Sequence, residues 1–265
     1  MKEFLADLFL TEDARKKRFV QLLQAKQYKE AEEVLHRLNR GTFIGDFVYG
    51  ANDGIITTFA VVAGAAGAAL SPGVIIILGI ANLVADGFSM GASNFLSLRS
   101  KREFVKTQRK KAEWEVEQFP ENEKDEVRDI LRSWGIPESV LEQSVYGLTQ
   151  NKKKWVDLMM KEELGLQEEE DANPSKHGTA TFLAFLAAGS IPLVPYFIGN
   201  NSGIQFLFSS IFAGLAFFAV GSARTLVTHE HPFRGGLEIM LVGGFAAAVA
   251  YAIGWAVKTV LGITI

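Results

Sequence analysis

Residues 44–70, IGDFVYGANDGIITTFAVVAGAAGAAL, decide the fold of this chain. The stretch is apolar enough and long enough to cross a hydrocarbon core of roughly 30 Å as one helix. It also carries two carboxylates, Asp46 and Asp53, which are seven residues apart and therefore share one helix face. A carboxylate near the middle of a bilayer costs roughly 2.5 to 3.5 kcal/mol, so a membrane helix rarely keeps one without a partner or a function. The stretch therefore predicts a membrane protein with a polar path.

Four further apolar stretches have the length of a membrane helix, at residues 73–98, 180–198, 204–220 and 237–260. The formal net charge is -3, but the charged residues are unevenly distributed along the chain. Nearly all of them fall before residue 46 or between residues 99 and 176, outside the apolar stretches. We predict an all-α membrane protein with five transmembrane helices and a helical cytoplasmic domain inserted between the second and third. The predicted parts are an amphipathic cytoplasmic segment (1–43), helices one and two (44–98), the inserted metal-binding domain (99–176) and helices three to five (177–265).

Helix boundaries follow from prolines and glycines. The pattern after residue 99 continues the second membrane helix without a breaker, so one long helix is expected to end at Pro120. Three further helices are predicted in the insertion, at residues 121–135, 137–149 and 152–164. Pro192 and Pro195 are expected to kink or break the third membrane helix near its outer end.

Basic residues predict the orientation of the chain in the membrane. They crowd onto the end of the second membrane helix, as Arg99, Lys101, Arg102, Lys106, Arg109, Lys110 and Lys111, and such residues mark the cytoplasmic side. The loops at 71–73 and 199–203 carry no charge, whereas Arg224, His229, His231 and Arg234 lie between helices four and five. The N-terminus and residues 99–176 are therefore expected in the cytoplasm and the C-terminus outside. Residues 1–40 lack a signal-peptide pattern, which is consistent with a bacterial plasma membrane.

Several classes of chemistry are disfavoured by the sequence. The chain has no cysteine, which removes disulfides, thiolate metal sites and cysteine nucleophiles. It also has no nucleophile elbow, P-loop or dinucleotide fingerprint, so we expect neither an enzyme nor a resident cofactor. The basic run 101–111 lacks stacking aromatic residues and adjoins a membrane helix, so its predicted partner is anionic lipid rather than nucleic acid.

The second membrane helix carries a polar stripe formed by Asn82, Asp86 and Met90, spaced by four. Carboxylate, amide and thioether together suit a borderline divalent cation such as Fe(II), Mn(II) or Co(II). Glycine pairs four apart, Gly50 with Gly54 and Gly87 with Gly91, adjoin the acids on both helices. Such pairs let helix backbones approach closely, so we expect the first two helices to hold a cation between them. The alternative is a hydrogen-bonded polar pair that sets helix register, with Met90 as core filler.

The insertion offers a second group of possible ligands. These are the glutamates Glu113, Glu115, Glu117, Glu121, Glu123 and Glu126, followed by Met159, Met160, Glu162 and Glu163. The spacing of four from Met159 to Glu163 places a thioether and a carboxylate on one helical turn, which can form a metal site. A charged helix face is also commonly just solvated, and that interpretation stays open for any single glutamate.

Three separated motifs resemble the vacuolar iron transporter family and its bacterial relatives. They are YGANDGIITTFAVVAG at residues 49–64, the Ser89-Met90-Gly91 step, and WVDLMMKEELG at residues 155–165. The similarity covers about residues 41–262, including the insertion. It implies a homodimer with five membrane helices per chain that exports Fe(II) and related cations from the cytosol in exchange for protons.

The resemblance also implies roles for individual residues. Asp53 and Met90 match the carboxylate and thioether of the translocation path, whereas the cytoplasmic metal-binding helices are matched by Glu115, Glu123, Glu126, Met159, Met160 and Glu163. Asn82 and Ala112 stand where plant-type members have glutamates, with Asp86 and Glu113 beside them as possible substitutes. The predicted metal-binding set is Asp46, Asp53, Asn82, Asp86, Met90, Glu113, Glu115, Glu123, Glu126, Met159, Met160 and Glu163.

The predicted function is therefore proton-coupled transport of divalent transition metal, with metal ions, protons, lipid and a second copy of the chain as partners. Two alternatives bind metal without transport. One is a membrane-anchored metal sensor. The other is a di-iron ferroxidase, although carboxylate di-iron bundles commonly use Glu-x-x-His and the insertion has no histidine before His177.

Overall fold

The computed structural model describes residues 12–28, 30–31, 38–167, 173–198, 202–228 and 231–262. Parts of the predicted N-terminal segment, including residues 1–11, and His229 lie outside them. The described helices are α1 (Glu12–Gln24), α2 (Leu38–Gly67), α3 (Pro72–Gln118), α4 (Pro120–Ser133), α5 (Glu138–Thr149), α6 (Lys152–Glu162), α7 (Pro174–Gly189), α8 (Val194–Phe197), α9 (Ser202–Thr228) and α10 (Pro232–Leu261).

Five segments in the described part of the chain are long and apolar enough to cross a membrane, which confirms the predicted number. They are Gly45–Gly67, Pro72–Gln118, Pro174–Phe197, Gly203–Thr225 and Pro232–Val260. The chain is therefore a helical, multi-pass membrane protein.

The second of these helices continues far beyond the length that a membrane needs. Helix α3 has 47 residues, and about 20 suffice for a span. It ends at Gln118 because Pro120 opens α4, where the missing proline N–H is not needed for a helical hydrogen bond. The prediction of one long helix that stops at Pro120 is confirmed.

The described chain divides into two compact units. The membrane unit comprises residues 1–93 and 175–265, and its apolar core includes Ile55, Val62, Phe185 and Phe217. The inserted unit comprises residues 94–174, so it begins and ends a few residues before the predicted insertion at 99–176.

Helices α4, α5 and α6 of the inserted unit pack around their own apolar core, which includes Val127, Leu141 and Val156. The chain leaves α4 through Gly135, whose φ of +80° is a left-handed conformation that glycine adopts without strain. Helix α6 begins after Asn151, whose side-chain oxygen accepts a hydrogen bond from the Lys154 N–H at 3.2 Å. The three predicted helices are present. Helices α4 and α6 each end two residues earlier than predicted, α4 begins one residue earlier, and α5 begins one residue later.

Two prolines interrupt the third membrane span, as the sequence predicts. Helix α7 stops at Gly189, a 3₁₀ turn at Ile191–Leu193 carries Pro192, and α8 contains Pro195. Each proline removes a backbone donor, so a regular helix cannot run through both positions.

The glycine pairs beside the acids contact a different helix from the one expected. A Cβ on Gly50 or Gly54 would lie 2.5 Å from the carbonyl oxygen of Thr181 or Phe185, both on α7. A Cβ on Gly91 of α3 would lie 2.8 Å from the carbonyl oxygen of Gly178, also on α7. The expectation that these glycines join the first helix directly to the second is therefore wrong. Both pairs contact the third membrane helix. Small residues mark a helix face that another backbone can approach closely, but they do not specify which helix approaches it.

Candidate metal centre

Asp53 lies half-buried near the middle of the first membrane span. Thr57, one turn later, donates its hydroxyl to the backbone carbonyl of Asp53 at 2.8 Å, so the threonine satisfies the backbone and leaves the carboxylate outside that bond. The carboxylates of Asp53 and Asp86 are close enough to interact electrostatically. Two acids from α2 and α3 therefore face the same region of the membrane unit.

The predicted stripe on α3 is half-buried along its length. Asn82, Asp86 and Met90 are each partly covered, and Met90 packs against the apolar core. The amide nitrogen of Asn82 is buried without a hydrogen-bond partner, and so is the side-chain oxygen of Asn52, the residue before Asp53. A buried polar group without a partner costs about 1 to 3 kcal/mol. The Asn82 amide nitrogen can donate a hydrogen bond to a water molecule, whereas the Asn52 oxygen can accept one or contact a cation.

A contact between the first and third membrane helices is not apparent from the sequence. His177 Nδ1 on α7 hydrogen-bonds to Asp46 Oδ2 on α2, and the two side chains are 8% and 15% exposed. The spacing to Asp53 predicts Asp46 as a ligand, whereas His177 precedes the apolar stretch predicted at residues 180–198 and no role is predicted for it. The structure places His177 inside the third span, which begins at Pro174. The available signal was a histidine preceding an apolar stretch by only three residues.

Three glutamates meet in the inserted unit. Glu123 and Glu126 lie on α4, and Glu163 follows the last residue of α6. One carboxylate oxygen from each lies within 4.8 Å of the other two, a spacing at which one cation can contact all three. Glu123 is only 8% exposed, whereas Glu126 and Glu163 are open to solvent. Hard oxygen ligands of this kind suit divalent cations.

Burial and the proximity of other carboxylates change the acidity of Glu123 and Glu163. Burial, together with the charges of Glu126, Glu163 and Glu115, raises the pKa of Glu123 to about 7. Burial and the charges of Glu126 and Glu115 also raise the pKa of Glu163. Because a bound cation removes this repulsion, the cluster is suited to exchange protons for metal near neutral pH.

The remaining glutamates of the predicted set have different surroundings. Glu115 on α3 is near enough to influence both Glu123 and Glu163, so the structure brings it to the cluster. Glu113 instead lies 3.4 Å from Arg109, and Arg109 also pairs with Asp157 at 2.7 Å. Glu113 is therefore engaged in a separate ion-pair network, which gives no sign that it substitutes for a glutamate at position 112.

The two predicted methionine ligands lie in the apolar core of the inserted unit. Met159 is fully buried and Met160 is 3% exposed, packed with residues such as Val127 and Trp155. Met160 also borders a cavity of about 570 Å³, together with Arg109 and Asp157. The structure thus gives both side chains a packing role, and their coordination of metal stays a prediction.

A sequence profile of the VIT family matches residues 44–255 of the chain. A vacuolar iron transporter of Plasmodium falciparum (isolate 3D7) is 34% identical over 247 residues, which cover 87% of this chain and 90% of that protein. A vacuolar iron transporter of Toxoplasma gondii (strain ATCC 50861 / VEG) is 31% identical over 236 residues, covering 86% and 78%. Vacuolar iron transporter 1 of Arabidopsis thaliana is 30% identical over 213 residues, covering 80% and 85%. The match to the family spans both the membrane unit and the inserted unit, so this chain belongs to the VIT family.

Proposed function

We propose that the chain is a proton-coupled antiporter that moves Fe(II), Mn(II) and similar divalent cations out of the cytosol. The observation that carries this proposal is the convergence of Glu123, Glu126 and Glu163, in which the pKa of Glu123 is raised to about 7 and the pKa of Glu163 is also raised, so that a proton and a cation compete for the cluster near neutral pH. The relatives' names as vacuolar iron transporters support iron as the cargo. Family membership also favours a transporter over the ferroxidase alternative.

The inserted unit captures the ion in this proposal. Three carboxylates on one face create a negative field that raises the local concentration of cations. Glu123 is the group on which competition between proton and metal is strongest, because it combines the deepest burial of the three with the repulsion of its neighbours. Glu115 strengthens the field. Capture therefore responds to cytosolic pH.

The membrane unit transfers the ion. Asp53 and Asp86 supply carboxylates that interact with one another, and Met90 supplies a thioether on the same stripe as Asp86 and Asn82. A carboxylate in a poorly solvated site binds either a proton or a cation, since one positive charge replaces the other. A metal ion leaving in one direction and protons returning in the other thus use the same side chains.

Orientation, oligomeric state and membrane are further parts of the proposal. The basic residues at the end of the membrane-spanning part of α3 favour a cytoplasmic location for the N-terminus and for the inserted unit. A homodimer is the expected assembly, as the resemblance implies. The relatives are eukaryotic proteins named for a vacuolar transporter, so they give no support for a bacterial plasma membrane, which stays a prediction.

Reconstitution into lipid vesicles tests the proposal. Vesicles with an acidic interior and a pH-sensitive dye inside are exposed to Fe(II), and internal iron and internal pH are recorded together. We expect iron to accumulate while the interior becomes more alkaline, and both signals to vanish without protein. Tight metal binding without flux would support a metal sensor instead, and oxygen consumption with Fe(II) would support a ferroxidase.

A further inference from the structure

Asp46 and His177 form a polar contact between two membrane helices that sequence spacing did not reveal. The Asp46 carboxylate on α2 and the His177 imidazole on α7 are in direct hydrogen-bonding contact. Their side chains are 15% and 8% exposed, so both are largely removed from water. Removing an ionisable pair from water into a membrane unit costs free energy. Apolar side chains of similar volume commonly stabilise helix packing as well or better.

Glycines fix the position of His177 between α2 and α3. On one side, Gly50 of α2 touches the backbone of Thr181, one turn after His177. On the other side, Gly91 of α3 touches the backbone of Gly178, the residue after His177. Neither glycine has room for a side chain, so the turn of α7 that carries His177 is held against both helices. His177 therefore lies at the same level of the unit as Met90, the neighbour of Gly91.

The pair also lies along the predicted route of the cation. Asp46 precedes Asp53 by two helical turns on one face of α2. A cation passing along that face towards Asp53 meets the Asp46 carboxylate and the His177 imidazole together. Two adjacent ligands of one six-coordinate ion, with bonds of about 2.1 Å, are about 3 Å apart, so side chains already in contact need only a small movement to bind the same ion.

We propose that His177 supplies a nitrogen ligand, beside the Asp46 carboxylate, to transition-metal ions on this route, and that it discriminates against Mg²⁺ and Ca²⁺. Imidazole is a good ligand for transition metals, whereas Mg²⁺ and Ca²⁺ take oxygen ligands. The three carboxylates that converge in the inserted unit supply oxygen ligands, which by themselves offer little discrimination of this kind. This inference rests on the proposed transport function for the direction of travel, but ligation by His177 can be measured without flux.

Competition during transport is the first test. His177→Gln keeps a hydrogen-bond donor for Asp46 but removes the imidazole ligand, and His177→Cys restores a soft ligand without restoring the imidazole. We expect His177→Gln to lower the preference for Fe(II) over Mg²⁺ and Ca²⁺ by about tenfold, and His177→Cys to recover part of it. A purely structural role for the pair predicts unchanged preference in His177→Gln, with any loss of rate shared by all cations. That result would overturn the proposal.

Pulsed EPR of bound Mn²⁺ is the second test, and it does not depend on transport. In the 265-residue chain with His36, His229 and His231 replaced by Gln, His177 is the only histidine. We expect ¹⁴N coupling to Mn²⁺ in this variant and its loss when His177→Gln is added. Absence of nitrogen coupling in the single-histidine protein, with Mn²⁺ bound in excess of what the glutamate cluster holds, would overturn the proposal even if His177→Gln does not fold. If the wild type transports no metal but retains the coupling, the transport function fails while ligation by His177 stands.

Discussion

The acidic residues of the inserted unit and those along α2 of the membrane unit are arranged in opposite ways. In the inserted unit, Glu123, Glu126 and Glu163 converge within 4.8 Å, and burial together with neighbouring charges raises the pKa of Glu123 and of Glu163. In the membrane unit, Asp46 is paired with His177 two turns from Asp53. Convergence gives one site whose affinity depends on pH, whereas separation along a helix gives successive sites. Under the proposed function, the first arrangement captures the ion and the second passes it on.

The largest effect is expected from Asp53→Asn. The substitution keeps the shape of the side chain but removes the charge that binds cation or proton, so we expect Fe(II) flux into vesicles to fall by about 100-fold or more. Metal binding by the inserted unit should stay unchanged. Thr57→Val is the matched control, because it removes a hydroxyl that bonds only to the Asp53 backbone in the described contacts. Loss of flux in both variants would point to helix distortion rather than to the carboxylate.

Glu123→Gln is expected to weaken metal binding by about 10- to 100-fold, as measured by titration calorimetry, because it removes the buried carboxylate of the cluster. Glu121→Gln serves as the control. Glu121 lies on the same helix but is 82% exposed and pairs with Lys124 at 2.7 Å. The capture assignment would be contradicted by equal affinities in the two variants.

The affinity of the cluster for metal should depend on pH in a defined window. Because the pKa of Glu123 is raised to about 7, this carboxyl is protonated below that pH and metal must displace a proton. We expect affinity to fall by about tenfold for each unit below pH 7 and to level off above it. In Glu123→Gln the slope should be shallower. An unchanged slope in that variant would assign the titration to another group.

The same pKa predicts how pH changes the stability of the metal-free protein. Glu123 binds its proton more tightly in the folded state than in the unfolded state. The resulting stabilisation is present below its ordinary pKa of 4.5 and is lost as pH rises through about 7. Added metal should reverse this trend above pH 7. Thermal unfolding of the whole 265-residue chain at several pH values, with and without Mn²⁺, measures both effects.

The smallest effect is expected from Gly54→Ala, a substitution at the glycine of α2 that contacts α7, and it is an effect on stability. Gly54→Ala places a methyl group 2.5 Å from the carbonyl oxygen of Phe185, so we expect it to lower stability by about 1 to 3 kcal/mol. Gly45→Ala, on the same helix, meets nothing within 4 Å and should leave the thermal midpoint unchanged or slightly raised. A midpoint for Gly54→Ala equal to that of Gly45→Ala would contradict the close packing of α2 and α7.

Features that depend on composition and segment length could be predicted from the sequence alone. The backbone N–H and C=O groups of five long apolar stretches find hydrogen-bond partners in a bilayer when each stretch forms a helix. Pro120, Pro192 and Pro195 lack the backbone N–H donor that a continuous helix needs. The three glutamates of the cluster were also among the predicted ligands. Residue spacing alone did not distinguish them from Glu113, because which carboxylates meet depends on how α3, α4 and α6 pack.

Features that depend on which helices are neighbours were not predictable. The glycine pairs on α2 and α3 were expected to face one another, yet both contact α7. His177 comes 131 residues after Asp46, so no local spacing connects them. Met159 and Met160 matched a family motif, but their burial in the core follows from the amphipathic pattern of α6. Periodicity identifies a face, and only tertiary structure identifies what that face contacts.

The division between capture and transfer is tested most directly by Fe(II) uptake into vesicles, recorded together with internal pH at increasing Fe(II) concentration. The measurement compares the wild type with Glu123→Gln and Asp53→Asn. The account predicts that Glu123→Gln reaches the wild-type maximal rate at high Fe(II), because excess metal compensates for weak capture. It predicts that Asp53→Asn stays without iron uptake and without proton exchange at every concentration. Recovery of Asp53→Asn at high Fe(II), or a Glu123→Gln variant that never recovers, would contradict it.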